Sequence, residues 1–186
     1  MSNEYLEWLN DLRNAPEGTI DHNRWLCLMF PWLVPHNRWT DEEIEDFDYS
    51  WTELDAMPDG WRKAFGEQMC FEIQSVLEET EDEEFEYRIL QIKEKWGYLH
   101  WYDNGAPKDI SNKLNTIIKK YEDLSKKTCI ECGAPATKIS TRWISPWCDE
   151  CAKKLVRAGD LIPIDEWFKK QENPFEEGKW VYVSIR

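Results

Sequence analysis

No stretch of the 186-residue chain approaches the ~20 consecutive apolar residues of a membrane helix. The opening MSNEYLEWLNDLRN also lacks the basic segment and apolar stretch of a signal peptide. Both absences predict a soluble protein of the cytoplasm that makes no use of a membrane. Histidine is scarce, at 3 residues. No phosphate-binding glycine loop, His-Glu-x-x-His helix or Gly-x-Ser-x-Gly elbow occurs, so none of the familiar nucleotide, metalloprotease or hydrolase centres is present. Asp46-Phe-Asp-Tyr-Ser50 begins like a calcium loop, but Trp51 stands where glycine is needed and Met57 where a bidentate glutamate is needed.

Positive charge is also in short supply. Against 37 Asp and Glu there are 23 Lys and Arg, a net charge of −14. The deficit is uneven: residues 1–112 sum to −17, residues 113–157 to +5 and residues 158–186 to −2. A chain this acidic repels phosphates over most of its surface, so any contact with nucleic acid falls to the middle segment.

What the sequence has in quantity is aromatic: 14% of residues, with 12 Trp, alongside 41% hydrophobic residues overall. That content excludes disorder, and the length suffices to bury a core without disulfides. Tyr5, Leu6, Trp8, Leu9 and Leu12 recur at helical spacing, and Asn14-Ala-Pro-Glu-Gly18 ends that helix. Trp25–Val34 is apolar nearly all round, which predicts a buried segment divided by Pro31. His-Asn-Arg-Trp occurs at His22–Trp25 and again at His36–Trp39, too brief a repeat to imply a repeat architecture. Thr40-Asp-Glu-Glu43 predicts a capping box opening a short acidic helix.

Trp61, Phe65, Met69, Ile73, Val76 and Leu77 form one stripe of an amphipathic helix. It runs into the acidic block Glu78–Glu84, which predicts a solvated connection. Phe85–Ile92 and Tyr98–Tyr102 predict a β-hairpin with Gly97 in its turn. Residues 109–127 predict a helix with a basic last turn, and residues 149–158 another that stops at Gly159. Asp165–Lys170 predicts a short helix, and Lys179–Ile185 a strand joining the hairpin's sheet.

The most specific signal is cysteine. Cys129-Ile-Glu-Cys132 and Cys148-Asp-Glu-Cys151 are two Cys-x2-Cys knuckles 15 residues apart, the spacing of a four-thiolate zinc site. Gly133 supplies the permissive backbone that such a knuckle needs. Reduced core cysteines, two disulfides or a redox pair are the alternatives, and the last usually occurs singly beside a βαβ unit. Four thiolates leave no position open on the ion, so a structural role is expected for one Zn2+. Ligand deprotonation lowers the local charge from +5 to about +3.

Lys138, Arg142 and Trp143 on the inter-knuckle loop, with Lys153, Lys154 and Arg157 beyond it, are candidate contacts for a ligand or nucleic acid. The alternative is solvated charge around Trp143 and Trp147 packed on the metal core. His22, His36 and His100 with Cys27 or Cys70 would be the only base and nucleophile pairs, and all five lie in apolar or aromatic contexts that predict core packing.

The expected fold is α+β: a helical N-terminal part, a small antiparallel sheet, and a four-Cys module like a zinc ribbon or treble clef near the C-terminus. The expected division is an acidic, Trp-rich domain over 1–127, a zinc module over 128–159, and a helix and strand over 160–186 packing back on the first domain.

Gln91-Ile-Lys-Glu-Lys-Trp-Gly-Tyr-Leu-His-Trp-Tyr102, then a helix, then Cys129-Ile-Glu-Cys-Gly-Ala-Pro135, resembles a group of small uncharacterised bacteriophage and prophage proteins over residues 61–151. The resemblance implies a phage accessory factor acting on a host or defence protein. The residues themselves favour a non-enzymatic, zinc-containing interaction protein, with acidic DNA mimicry as a special case. A nucleic-acid or nucleotide binder using the basic zinc loop and a zinc-stabilised enzyme are the alternatives.

Overall fold

The computed structural model describes residues 3–37, 40, 42, 44–155 and 161–172. It is α+β, with helices, two small antiparallel sheets and a four-cysteine cluster near the C-terminus. Helix α1 (Asn3–Arg13) buries only Leu12 and lies against α2 (Ile20–Met29), which Thr19 caps through its side chain. Pro31 opens a single 3-10 turn over Pro31–Leu33, as a proline at the first helical position does. Leu26, Phe30 and Leu33 are fully buried, but Leu28 and Met29 are exposed, so the segment is not buried all round. A helix lying on one side of a core always leaves one stripe in water.

The expected capping box at Thr40 involves Asp41 and Glu43, which lie outside the described residues, as does the end of the second His-Asn-Arg-Trp copy. A capping box does form at Thr52, whose backbone N–H donates to Asp55 Oδ2 at 2.6 Å and whose hydroxyl donates to the same oxygen at 2.8 Å.

The central helix is built in three joined parts: α3 (Asp59–Trp61), a π turn (Arg62–Gly66) and α4 (Glu67–Leu77). Trp61, Phe65, Met69, Ile73 and Val76 are buried along its stripe, as their spacing predicts. Strands β1 (Ile89–Lys95) and β2 (Tyr98–Asp103) pair antiparallel; β1 starts four residues later than the composition suggests. Upstream, Tyr87 is drawn out of the ladder to pack beneath Trp32 and Trp101, and its hydroxyl accepts the Trp101 indole N–H at 2.8 Å. Trp96 and Gly97 form the two-residue turn with φ of 57° and 82°, the two positive values that a type I′ hairpin requires.

Helix α5 (Ser111–Ser125) runs beside β2 and α4. Its Ser125 hydroxyl accepts the Leu99 N–H at 2.8 Å, and its Tyr121 hydroxyl donates to Glu72 at 2.9 Å. One continuous core joins α1 to α5 through buried aromatic and aliphatic side chains. Its buried indoles are satisfied as well as packed: Trp32 donates to Gln74 at 2.8 Å and Trp61 to the Thr128 carbonyl at 2.9 Å.

After α5 come β3 (Lys138–Ser140), β4 (Ser145–Trp147), α6 (Asp149–Lys153), β5 (Leu161–Pro163) and α7 (Ile164–Glu172). Strand β5 pairs with β3, giving the order β4-β3-β5 around the cysteines. Helix α6 stops at Lys153 with Lys154 as its C-cap, short of the expected 149–158, because the Lys154 N–H closes the last turn back onto the Cys151 carbonyl. The expected terminal strand Lys179–Ile185 lies outside the described residues. No helix among the described residues is long and apolar enough to cross a membrane.

Candidate metal centre

The first knuckle forms where the chain leaves α5. Gly133 N–H returns to the Cys129 carbonyl at 3.0 Å, and Cys129 N–H to the Ala134 carbonyl at 2.7 Å, folding Cys132 back toward Cys129. Gly133 holds φ +80°, and a Cβ there would fall 2.6 Å from the Gly60 carbonyl, so both conformation and space demand glycine. The second knuckle is the start of α6: Cys148 is its N-cap, and its sulfur accepts the Cys151 N–H at 3.4 Å. The short β3-β4 hairpin brings the two together, and Ile130 N–H crosses to the Pro146 carbonyl at 3.0 Å.

All four sulfurs lie within 4.8 Å of one another, with Cys132 Sγ and Cys148 Sγ 3.6 Å apart. Tetrahedral Zn–S bonds of ~2.3 Å would space the sulfurs by ~3.8 Å. The cluster fits such an ion and is far too open for disulfides, whose sulfurs bond at ~2.05 Å. Cys129, Cys148 and Cys151 are buried and Cys132 is half-buried, with Ala134 and Trp147 packed around them. The Cys151 N–H pulls the Cys148 thiol down to about 7, and burial pushes the Cys151 thiol up. The spacing and donor chemistry of the four sulfurs suit a metal ion.

The centre is joined to the helical core. Gly60 N–H donates to the Ile130 carbonyl at 2.9 Å, and a Cβ on Gly60 would meet the Cys129 carbonyl oxygen at 2.2 Å. Gly60→Ala is therefore expected to destabilise by about 3 kcal/mol, because backbone rather than a mobile side chain must move. Gly66→Ala, whose Cβ meets nothing nearer than 3.4 Å, is the matched control and is expected to stay within about 1 kcal/mol of wild type. Urea unfolding of both variants checks the contrast. Nothing in the sequence couples Gly60 to a cysteine 69 residues away; Met57-Pro-Asp-Gly60 signals only a turn.

The other predicted contacts scatter. Lys138 Nζ lies 3.2 Å from Asp149, and Lys153 Nζ lies 2.7 Å from Glu150, so both charges are already engaged. Arg142, Trp143 and Lys154 are exposed, Trp143 at 74%. Arg157 lies outside the described residues. Of the two tryptophans, Trp147 packs on the cysteine cluster and Trp143 projects into solvent. Cys27 and Cys70 are both core residues, and burial pushes the Cys27 thiol up to about 12 and raises that of Cys70 as well. Neither is a thiolate at neutral pH.

No protein-family model, curated protein or solved structure matches the chain.

Proposed function

We propose that the four cysteines hold one structural zinc ion, and that the protein is a non-enzymatic interaction protein whose acidic surface engages a basic partner. Zinc is favoured over other ions because four thiolates at tetrahedral spacing suit a soft, closed site. A closed site supplies no position for substrate, which directs the reading away from metal catalysis. The basic patch of the zinc loop is a weaker candidate for the main contact, because Lys138 and Lys153 are spent on neighbouring carboxylates.

The observation that carries the interaction reading is the acidic turn after α4. Glu78, Glu79, Glu81, Asp82, Glu83, Glu84 and Glu86 are all exposed, yet the backbone beneath them is tied down. The Asp109 carboxylate accepts both the Thr80 hydroxyl and the Glu81 N–H at 3.1 Å, and the Phe85 side chain is anchored against the core. Carboxylates on an ordered backbone lose less freedom on binding than those of a loose linker, although Glu79 and Glu86 are paired with Lys113 and Arg88. A row of negative charges on such a turn can occupy the site where a partner holds phosphates. With the resemblance to phage proteins, this makes the partner a host or defence protein inhibited in the host cytoplasm by competition with DNA.

The test is capture from bacterial lysate by the wild type and by a variant with Glu81, Asp82, Glu83 and Glu84 changed to their amides. Basic proteins retained by the wild type, released by duplex DNA and absent from the variant are expected. Retention that is indifferent to both would overturn the acidic-mimicry reading.

A further inference from the structure

The outer face of the β1-β2 hairpin carries an aromatic and cationic strip that neither the metal centre nor the acidic turn uses. Cross-strand register puts Lys95 opposite Tyr98, Lys93 opposite His100 and Gln91 opposite Tyr102 on this face, while Ile92, Leu99 and Trp101 fill the core on the other. Tyr98 and His100 have ring centroids 4.2 Å apart, and His100 lies near-parallel to Tyr102 at 6.1 Å and 12°. Lys93 Nζ sits 4.8 Å from the Tyr102 ring centre and Lys95 Nζ 4.0 Å from that of Trp96.

Two features separate this strip from an ordinary solvated sheet face. The first concerns charge. Lys113, Lys119, Lys120, Lys138 and Lys153 each contact a carboxylate, whereas among the described residues neither Lys93 nor Lys95 does. Lys93 Nζ donates to the Gln91 side chain at 2.6 Å and neither ammonium forms an ion pair among the described residues, so both keep a net positive charge beside the rings in a chain of net charge −14. The second concerns the turn. Trp96 occupies a φ of +57° that asparagine or glycine would adopt more cheaply, and it stands 51% exposed. The strained φ is unfavourable for folding and the exposed indole contributes little burial to offset it, which points to a use outside folding. A Cβ on Gly97 would meet Ile144 Cγ2 at 2.8 Å, so the hairpin turn abuts the β3-β4 turn that carries exposed Trp143. Two exposed indoles thus come from adjoining turns at one end of the strip.

We infer that this face, which lies outside the basic segment 113–157 to which charge along the chain assigns such contacts, binds single-stranded nucleic acid, its bases stacking on Tyr102, Trp96 and Trp143 and its phosphates meeting Lys93 and Lys95. Stacking needs exposed ring faces and tolerates any base, and cations without a carboxylate partner beside those rings supply the backbone contacts. A duplex hides its base faces and lacks this complementarity. The site is separate from the acidic turn, so its failure would leave the proposed protein-binding role untouched.

Fluorescence anisotropy of the zinc-loaded protein with a labelled short oligothymidylate tests it. At about 0.1 M salt the screening length of about 10 Å confines repulsion from the acidic remainder of the chain. Binding is expected, weaker for a duplex of equal length. Tyr102→Ala and the pair Lys93→Gln/Lys95→Gln are each expected to reduce affinity about tenfold or more, while Tyr102→Phe keeps it. Unchanged melting temperature and zinc content in these surface variants identify a lost contact rather than a lost fold. No binding at about 100 μM protein, variants that bind like wild type, or equal displacement by polyglutamate of the same charge would each overturn the inference.

Discussion

Removing the metal is expected to unfold the cysteine module and to loosen the helical core with it. Zinc binding by small four-ligand modules contributes about 10–16 kcal/mol at neutral pH, as large as the whole stability of an ordinary domain. The module has little else: its cluster consists of the cysteines, Ala134 and Trp147, flanked by strands of three residues. Its loss does not stay local, because the Trp61 indole and Gly60 N–H both bond to the chain around Cys129, and Ile130 packs on the main core. Elemental analysis should find about one zinc per chain, and a chelator should lower the melting temperature markedly. Thiol alkylation at pH 8 gives a second readout. No cysteine should react readily in the metal-bound protein. The four ligands should react after chelation, and Cys27 and Cys70 only on unfolding, because burial keeps both thiols protonated. A chelated protein that melts as before would refute the structural role.

Asp55→Ala is expected to cost about 3 kcal/mol, the usual result of stripping a buried cation of its main partner. Asp55 is the nearer of two carboxylates at Arg62, whose side chain is 8% exposed in the π turn of the central helix; the exposed Glu17 lies 3.8 Å from Nε. The same guanidinium donates to Asn23 Oδ1 at 3.2 Å, and Asn23 in turn donates to Asp55 Oδ2 at 3.3 Å and to the Tyr49 carbonyl at 3.1 Å. Thr52 adds two further bonds to Asp55. The network therefore ties α2, the Thr52 turn and the π turn together through one carboxylate. Asp55→Asn should cost less than Asp55→Ala, since its one amide oxygen can still accept from Thr52 and Asn23, although its NH2 then replaces the oxygen that faces Arg62. Arg62→Met in the Asp55→Ala background should recover part of the loss, because it removes the stranded charge. Urea unfolding of wild type, Asp55→Ala, Arg62→Met and the double variant closes the cycle. A loss below about 1 kcal/mol for Asp55→Ala would show the pair to be effectively solvated.

Much of this architecture is legible along the chain, for a local reason. The Trp61-to-Val76 stripe, the Gly97 turn and the helix over Ser111–Ser125 each follow from a period or a turn residue within one element. Pro31 divides its segment as its geometry dictates. The errors fall where an element's fate depends on a distant neighbour. Tyr87 leaves the expected strand because Trp32 and Trp101 offer it a buried partner. The acidic block is solvated as expected, but nothing local shows that Asp109 will hold its backbone.

The sequence by itself singled out the four cysteines that the fold brings together, because two residues between cysteines set the reach of each knuckle whatever surrounds it. It also determined the α+β class and the acidic character. Only the tertiary structure decided that the knuckle is bound into the helical core at Gly60, and that Lys138 and Lys153 are spent on carboxylates while Lys93 and Lys95 are not. It likewise decided that Trp96 and Trp143 come from adjoining turns. Ligand spacing and amphipathic period are properties of a few consecutive residues, whereas the pairing of a charge or the meeting of two turns depends on how separate elements pack, which no local pattern encodes.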